Sequence, residues 1–152
     1  MMVHWLSPVG CLAVRCSYTR LLGISRVEAA DPALLEAPVC ELAGETIRQL
    51  GEYFEGRRRE FSLPVEQEGT AFEQSVWREL CNVPYGSRIS YRELAERIGK
   101  PRAYRAVGNA NGRNRLCIIV PCHRIIRSDG ATGGYAYGPQ MKEYLLELER
   151  KA

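Results

Sequence analysis

Two helix N-terminal signals in the second half of the chain constrain its fold more than any other feature. Thr70–Glu73 (TAFE) and Ser90–Glu93 (SYRE) each set a hydroxyl residue three positions before a glutamate, which is the pattern of a capping box. The apolar residues after the first signal recur at helical spacing, as Phe72, Val76, Trp77 and Leu80. The sequence therefore predicts two helices here, each with one buried face.

A third helix should begin near Pro101, shortly after Gly99, which suits the C-terminal cap of the second helix. Two short helices joined by a GKP turn are typical of a helix-turn-helix motif. Small residues on the last helix would let it approach a partner closely, and these are Ala103, Ala106 and Ala110. Many helical hairpins never contact DNA, so the pattern by itself is a hypothesis about function.

The first third of the chain has the pattern of a small sheet covered by a helix. Residues 11–17 (CLAVRCS) and 21–29 (LLGISRVEA) have the apolar runs of strands. Residues 41–56 have helical periodicity and end at a glycine. The residues that should share the buried face of this helix are Leu42, Ile47, Leu50 and Phe54.

Residues 57–69, with a run of arginines, a proline and a terminal glycine, have the composition of a linker. We therefore predict an α/β (α+β) protein with two domains. The first, over residues 1–68, combines a sheet with a helix, and the second, over residues 69–152, is mainly helical and contains the helix-turn-helix.

The charge is distributed unevenly between these two parts. Residues 1–68 carry seven basic and ten acidic side chains, whereas residues 69–152 carry fourteen basic and eight acidic ones. A basic cluster of this kind suits a surface that binds a polyanion such as DNA. A solvated charged surface is the alternative reading of the same composition.

The six cysteines have neither CxxC pairs nor repeated spacing, which favours free thiols in a reducing, intracellular and cytoplasmic protein. His4, Cys11 and Cys16 lack the spacing of a zinc finger, so we predict no metal site. No apolar run reaches the length of about 18 residues that a membrane span needs. We expect no association with a membrane.

A Cys-His-Arg triplet, Cys122–Arg124, follows a short apolar run, residues 116–121 (LCIIVP), that we predict to be buried and extended. A thiolate is a strong nucleophile, and a neighbouring histidine, a cation or a helix N-terminus lowers a thiol pKa. The alternative is a small buried side chain without chemistry. Adjacent residues do not face each other on a helix, so His123 should act through a water and needs an acidic partner. The candidates on the last predicted helix are Glu143, Glu147 and Glu149.

Five stretches of the sequence resemble, in order and with matching intervals, the O6-alkylguanine-DNA alkyltransferases. The resemblance is most specific over residues 70–149 and continues collinearly back to the SPVG turn near the N-terminus. It implies a ribonuclease H-like N-terminal domain and a DNA-binding C-terminal domain. The stretches are TAFEQSVWREL, VPYGSRISYRELA, YRAVGNANGRN, IIVPCHRII and GGYAYG with KEYLLELE.

The resemblance also implies the catalytic residues. Cys122 matches the alkyl acceptor, and His123 matches the histidine that removes its proton through a water. Glu149 matches the carboxylate that orients this histidine. Asn114 matches the asparagine that holds the active-site turn, and Tyr91 matches the tyrosine that hydrogen-bonds the flipped guanine.

The residues expected to contact DNA follow in the same way. Arg105 matches the finger that fills the gap left in the duplex, and Tyr135 with Ala136 matches the lid over the base pocket. Ala103 and Ala106 should let the recognition helix sit deep in the minor groove. We also predict that Arg124, beside the acceptor, contacts DNA. Tyr137 stands where many relatives have glycine, and its ring should narrow the pocket.

The implied activity is direct-reversal DNA repair by a methylated-DNA–protein-cysteine S-methyltransferase. The alkyl group of a flipped-out O6-alkylguanine in double-stranded DNA would move irreversibly to Cys122, in a single turnover without a cofactor. O4-alkylthymine is a second candidate substrate. We expect a monomer in solution, located at the nucleoid while it acts. Two alternatives are a helix-turn-helix protein that senses damage or regulates without repairing, and a cysteine hydrolase.

Overall fold

The computed structural model describes residues 1–35 and 39–151. The chain divides into two compact units, residues 1–67 and residues 68–152, which are treated separately below. No helix in the described ranges is both long and apolar enough to span a bilayer.

The first unit contains an antiparallel sheet of three strands in the order β1 (Met2–Ser7), β2 (Gly10–Cys16) and β3 (Leu21–Val27). The predicted strands are β2 and β3, and β1 is absent from the prediction. In β1 the apolar and polar residues do not follow the buried and exposed positions of the strand, because Leu6 is 60% exposed whereas His4 is buried. The His4 Nδ1 accepts a hydrogen bond from the backbone N–H of Asp31, at 3.0 Å, which satisfies this buried ring.

Helix α1 (Glu41–Phe54) is confirmed, but its predicted buried face is wrong in part. Of the four predicted residues only Leu50 is fully buried, and the others lie at the edges of the interface. The buried face includes polar side chains that a hydropathy pattern does not reveal. Gln49, for example, donates to the Ser62 carbonyl and accepts from the Ser62 N–H, which removes the cost of burying its amide. The buried residues of α1 are Ala43, Thr46, Gln49, Leu50 and Tyr53.

The second unit begins with α2 (Ala71–Leu80), whose predicted capping box at Thr70 is present in both directions. At the start of α3 (Tyr91–Arg97) only half of the predicted box forms. The Ser90 hydroxyl accepts from the Glu93 N–H at 3.0 Å, but the Glu93 carboxylate binds Arg97 one turn later instead. This ion pair with Arg97 takes the place of the second hydrogen bond of a capping box, which would run from the Ser90 N–H to the Glu93 carboxylate.

Helix α4 (Tyr104–Gly112) completes the helix-turn-helix and begins three residues later than predicted. Residues 101–102 form a turn, and Ala103 is the N-cap without a side-chain hydrogen bond. The indole N–H of Trp77 on α2 donates to the Ala110 carbonyl at 2.9 Å, which fixes α4 against α2. Gly99 has a φ of 77° and ends α3, as predicted.

Residues 116–120 are buried as predicted, apart from the half-buried Ile119, but they are not extended. They form consecutive tight turns in which the Val120 N–H donates to the Leu116 carbonyl at 2.9 Å. Ile118 has a φ of 73°, a conformation that is rare and strained for a β-branched residue. Apolar composition signals burial equally for turns and strands, so the sequence could not distinguish them.

The turns lead into a single 3-10 turn, Cys122–Arg124, and then into β5 (Ile125–Ile126). β5 pairs in parallel with β4 (Ile89–Ser90), which directly precedes α3. The last helix, α5 (Pro139–Lys151), packs against the 3-10 turn. Its predicted inward residues Met141 and Leu145 are buried, whereas Leu148 is only half-buried.

Candidate active site

The second unit contains a cavity of about 310 Å³ at the meeting point of α3, α4, the 3-10 turn and the loop before α5. Cys122 is part of its wall and is only 6% exposed. The sequence-predicted residues Tyr91, Asn114, Tyr135 and Ala136 lie in the same wall. The complete lining is Tyr91, Gly108, Asn111, Gly112, Asn114, Cys122, Gly134, Tyr135, Ala136 and Tyr137.

Asn114 holds the turn that ends at Cys122. Its side-chain N–H donates to the Val120 carbonyl at 2.8 Å, and its side-chain oxygen accepts from the Leu116 N–H at 3.1 Å. It also hydrogen-bonds the Cys122 thiol. The buried Asn114 side chain therefore contacts Leu116, Val120 and the Cys122 sulfur.

His123 lies beside Glu149 with both side chains fully buried. The His123 Nε2 is 2.6 Å from the Glu149 Oε2, which assigns the ring proton to Nε2 and leaves the Nδ1 lone pair available. No group in the described part of the chain hydrogen-bonds to that buried Nδ1. Of the three glutamates that spacing left open, Glu149 contacts the histidine, Glu143 is exposed and Glu147 pairs with Arg150 on the surface.

In the resting site, burial keeps both the Cys122 thiol and the His123 imidazole neutral. Burial raises the pKa of the Cys122 thiol, although Asn114 and the Lys142 charge oppose the effect. Burial also lowers the pKa of His123, against the influence of Glu149. Burial would raise the pKa of the Glu149 carboxyl, but His123 and Arg124 hold it well below its usual range. The expectation of a lowered thiol pKa is therefore wrong, because desolvation outweighs the nearby cations.

Arg124 lies elsewhere than predicted. Its guanidinium is buried and donates twice to the Glu149 carboxylate, at 2.8 and 3.1 Å, and once to the Val83 carbonyl at 2.7 Å. With these donors engaged inside the protein, the predicted contact with DNA is not available to it. Arg124 instead compensates the buried charge of Glu149, which also accepts from the Gly86 N–H at 3.2 Å.

Tyr91, the first residue of α3, places its ring along the cavity wall. Its hydroxyl hydrogen-bonds the backbone of Gly134, and burial together with the neighbouring Cys122 raises the pKa of the phenol. Gly133 has a φ of 78°, and a Cβ there would come within 3.0 Å of the Tyr91 hydroxyl. Glycine is therefore required at this position both by backbone conformation and by space.

Two tyrosines and an alanine of the loop before α5 form another wall. The rings of Tyr135 and Tyr137 meet edge to face, with centroids 5.8 Å apart and planes at 79°. Both line the cavity with Ala136 between them. The bulky ring of Tyr137 thus occupies wall space, as its sequence position predicts.

The residues predicted to contact DNA on α4 are not part of the cavity lining. Arg105 and Ala106 are exposed, and Ala103 is half-buried at the N-cap. These residues present a surface rather than a pocket. The structure therefore brings together Cys122 and its predicted partners, and sets the predicted DNA-contacting residues of α4 apart from them.

Lys142 and Asn111 are buried polar residues that the sequence analysis missed. The Lys142 ammonium group donates to the carbonyls of Ile125, Thr132 and Gly134, at 2.5, 2.6 and 3.2 Å. Burial lowers the pKa of Lys142 to about 8. A signal existed, because Lys142 shares a helical face with the apolar residues of α5 at spacings of three and four. Asn111 likewise lies on the buried face of α4.

Comparisons with known proteins agree over nearly the whole chain. The ribonuclease-like domain of 6-O-methylguanine DNA methyltransferase matches residues 5–67, and the DNA binding domain of the same family matches residues 71–151. The resemblance and the fold class predicted from the sequence are thereby confirmed.

Individual relatives give the same result. The methylated-DNA–protein-cysteine methyltransferase of Methanosarcina barkeri is 56% identical over 105 residues, and that of Mycobacterium bovis is 49% identical over 154 aligned positions. The first match covers 69% of this chain and 66% of the relative, just under two thirds of its length, whereas the second covers 98% and 93%.

Solved structures extend the likeness to three dimensions. The crystal structure of Mycobacterium tuberculosis OGT in complex with DNA has a TM-score of 0.89 at 38% identity, covering 99% of this chain and 92% of that one. The O6-methylguanine-DNA methyltransferase of Pyrococcus kodakaraensis has a TM-score of 0.65 at 29% identity, covering 98% and 99%. The family models match both units, a relative matches along nearly the full length, and a solved structure shares the fold. This chain therefore belongs to the 6-O-methylguanine DNA methyltransferase family.

Proposed function

We propose that this protein repairs DNA by moving the alkyl group of O6-alkylguanine to its own Cys122. The observation that carries the proposal is the placement of Cys122 in the wall of a cavity, next to the buried His123–Glu149 pair. A nucleophile, a base and a group that orients the base are the parts that such a transfer needs. The relatives named methylated-DNA–protein-cysteine methyltransferase support the same assignment.

The thiol loses its proton as the reaction begins. Because the Nε2 of His123 is engaged with Glu149, its Nδ1 is the atom that takes this proton, through a bridging water. The imidazolium that results is stabilised by the adjacent carboxylate. Since the resting thiol pKa is raised by burial, the thiolate forms when substrate is in place rather than beforehand.

The chemical step exchanges one bond for another. The Cys122 sulfur attacks the alkyl carbon in line, the S–C bond forms, and the bond between that carbon and O6 breaks. Charge then develops on the guanine ring, and the Tyr91 hydroxyl donates a proton to a ring nitrogen. The proton taken from the thiol replaces the one lost by Tyr91, so guanine leaves neutral and the protein retains a thioether.

The base must leave the helix to reach Cys122, because an O6-alkyl carbon is inaccessible inside a base stack. Turning it out costs roughly a few kcal/mol. Arg105, exposed on α4, is suited to fill the gap, and the exposed Ala106 leaves room for close approach of the backbone. Tyr135 and Ala136 close over the base from the loop before α5.

The reaction ends after one turnover, because a thioether has no activated carbonyl for water to attack. A cofactor has no role in these steps. A reducing, intracellular setting suits a protein whose acceptor must remain a free thiol. We propose a monomer as the acting species and double-stranded DNA carrying O6-alkylguanine as its partner.

The test is incubation with duplex DNA that contains O6-methylguanine, followed by measurement of the intact protein mass. We expect a gain of one methyl group, about 14 Da, on Cys122, and no gain in the Cys122→Ser variant. Binding without transfer would instead identify a non-repairing sensor or regulator. Catalytic hydrolysis of esters or amides by an unmodified protein would identify a cysteine hydrolase.

A further inference from the structure

Cys16 and Cys40 bring two thiols together in the first unit, and the proposed alkyl transfer uses neither of them. Their sulfurs are 3.5 Å apart, although the two residues are separated by 24 positions in the chain. Cys16 is the last residue of β2 and is fully buried, whereas Cys40 is the N-cap of α1 and is half-buried. The contact therefore joins the end of a strand to the start of the helix that packs on it.

The surroundings of the two sulfurs differ. The Ala43 N–H donates to the Cys40 sulfur at 3.4 Å, so a negative charge on this sulfur meets a hydrogen-bond donor at a helix N-terminus. Burial, followed by the hydrogen bond with Cys40 and the charge of Cys40, raises the pKa of Cys16 to about 11. Cys16 therefore keeps its proton, and Cys40 is the sulfur that a reagent from solvent can reach.

We infer that Cys16 and Cys40 form a thiol–disulfide exchange site, which reacts with a small-molecule disulfide and closes to an intramolecular disulfide. Such a site needs an accessible thiol that attacks and a second thiol beside it that resolves the mixed disulfide. Cys40 and Cys16 meet these two requirements in turn. An S–S bond is about 2.0 Å long, so the sulfurs must approach by roughly 1.5 Å, a distance within the range of side-chain rotation.

The exchange takes two steps. The Cys40 thiolate attacks one sulfur of the small disulfide, a mixed disulfide forms on Cys40, and the other half leaves as a thiolate that takes a proton from solvent. Cys16 then gives up its proton and attacks the Cys40 sulfur, which releases the second half as a thiol. Two protein thiols are oxidised to one disulfide, and one small disulfide is reduced to two thiols.

The new bond would cross-link the end of β2 to the start of α1. A cross-link between residues this far apart in the chain restricts the unfolded state and so stabilises the folded one. In reducing surroundings the pair stays as two thiols, and it closes when small disulfides accumulate. The inferred site therefore makes the stability of the first unit depend on the redox state of its surroundings.

Incubation of the full chain with oxidised glutathione, followed by alkylation of the remaining thiols and non-reducing peptide mapping, tests the site. We expect one disulfide between the peptides that carry Cys16 and Cys40. The melting temperature should rise by about 5 °C and return when dithiothreitol is added. Cys40→Ser keeps a preferred N-cap for α1 and should stay folded, but it should show neither the bond nor the rise. Cys81→Ser, at the exposed C-cap of α2, is the matched control and should show both.

Three results would overturn the inference. The first is a lasting glutathione adduct on Cys40, about 305 Da heavier, because it would show that Cys16 does not resolve the mixed disulfide. The second is alkylation of both Cys16 and Cys40 after the incubation, which would mean that the pair is only packed together. The third is a bond between Cys16 and Cys40 that leaves the melting temperature unchanged, which would contradict the stabilising cross-link.

Discussion

The Nε2 of His123 and the Oε2 of Glu149 are 2.6 Å apart, and neither side chain is exposed to solvent by more than a few per cent. They lie 26 positions apart in the chain, on the 3-10 turn and on α5. Because Arg124 binds the same carboxylate, Glu149 both orients the histidine and balances a buried guanidinium.

Glu149→Gln keeps the shape of the side chain and removes its charge. Alkyl transfer should slow roughly 100-fold, since His123 loses the group that orients it and stabilises its protonated form. Arg124 would remain buried without a counter-charge, which should lower the free energy of unfolding by about 3 kcal/mol. Transfer rates and denaturant unfolding measure the two effects. Glu147→Gln, on the exposed side of the same helix, is the control and should change neither.

Stability should decrease in mild acid because of His123. Burial lowers its folded-state pKa, so below about pH 6.5 the unfolded chain binds a proton that the folded protein does not. The contribution of the neutral His123 to the free energy of unfolding is complete above that pH and declines below it, by up to about 1.4 kcal/mol per pH unit. Denaturant unfolding between about pH 5 and 7 measures the slope, because Lys142, whose pKa is about 8, adds a pH dependence of its own above that range. The slope should disappear in His123→Gln and persist in His4→Gln, and equal slopes in both variants would contradict the assignment.

Arg105→Ala tests the role of an exposed residue on α4. Transfer from a lesion in duplex DNA should fall by about tenfold or more, because the flipped state loses the side chain that fills the gap. Reaction with free O6-benzylguanine, which needs no flipping, should be unaffected. Arg78→Ala, exposed on α2, controls for the loss of a positive charge. Equal losses on both substrates would exclude the role proposed for Arg105.

Tyr137→Ala should widen the cavity and favour larger adducts. The ring of Tyr137 lines the wall next to Tyr135, so its removal opens space beside Cys122. The rate with O6-benzylguanine should rise roughly tenfold relative to O6-methylguanine, a difference typical of pocket size effects. The ratio of the two rates is the measurement. Tyr18→Ala, on the surface of the first unit, should leave the ratio unchanged.

Lys142→Met removes the ammonium group that connects three carbonyls. The loop carrying Thr132 and Gly134 should then exchange its backbone hydrogens faster, and transfer should fall about tenfold as the wall over Cys122 loosens. Hydrogen exchange over residues 131–137 measures the first effect. Lys151→Met, exposed at the end of the same helix, is the control. Unchanged exchange would show that Lys142 does not hold the loop.

Local sequence patterns determined helices α1 to α5, strands β2 and β3, and the order in which they occur. The Thr70 capping box, the Gly99 cap and the apolar face of α2 depend on residues a few positions apart, and all three are present. The identity of Cys122 as a candidate nucleophile also depended on its sequence neighbourhood. The resemblance to a known family identified Glu149 as the acidic partner of His123, a choice that the spacing of the glutamates left open.

Only the tertiary structure decided which groups meet and what their surroundings do to them. Arg124 has the sequence neighbourhood of a DNA contact, yet folding buries it against Glu149. The Cys122 pKa rises instead of falling, because desolvation depends on every element packed around the sulfur. The three carbonyls around Lys142 and the bond from Asn111 to the Cys122 carbonyl likewise join residues 8 to 17 positions apart, which periodicity does not encode.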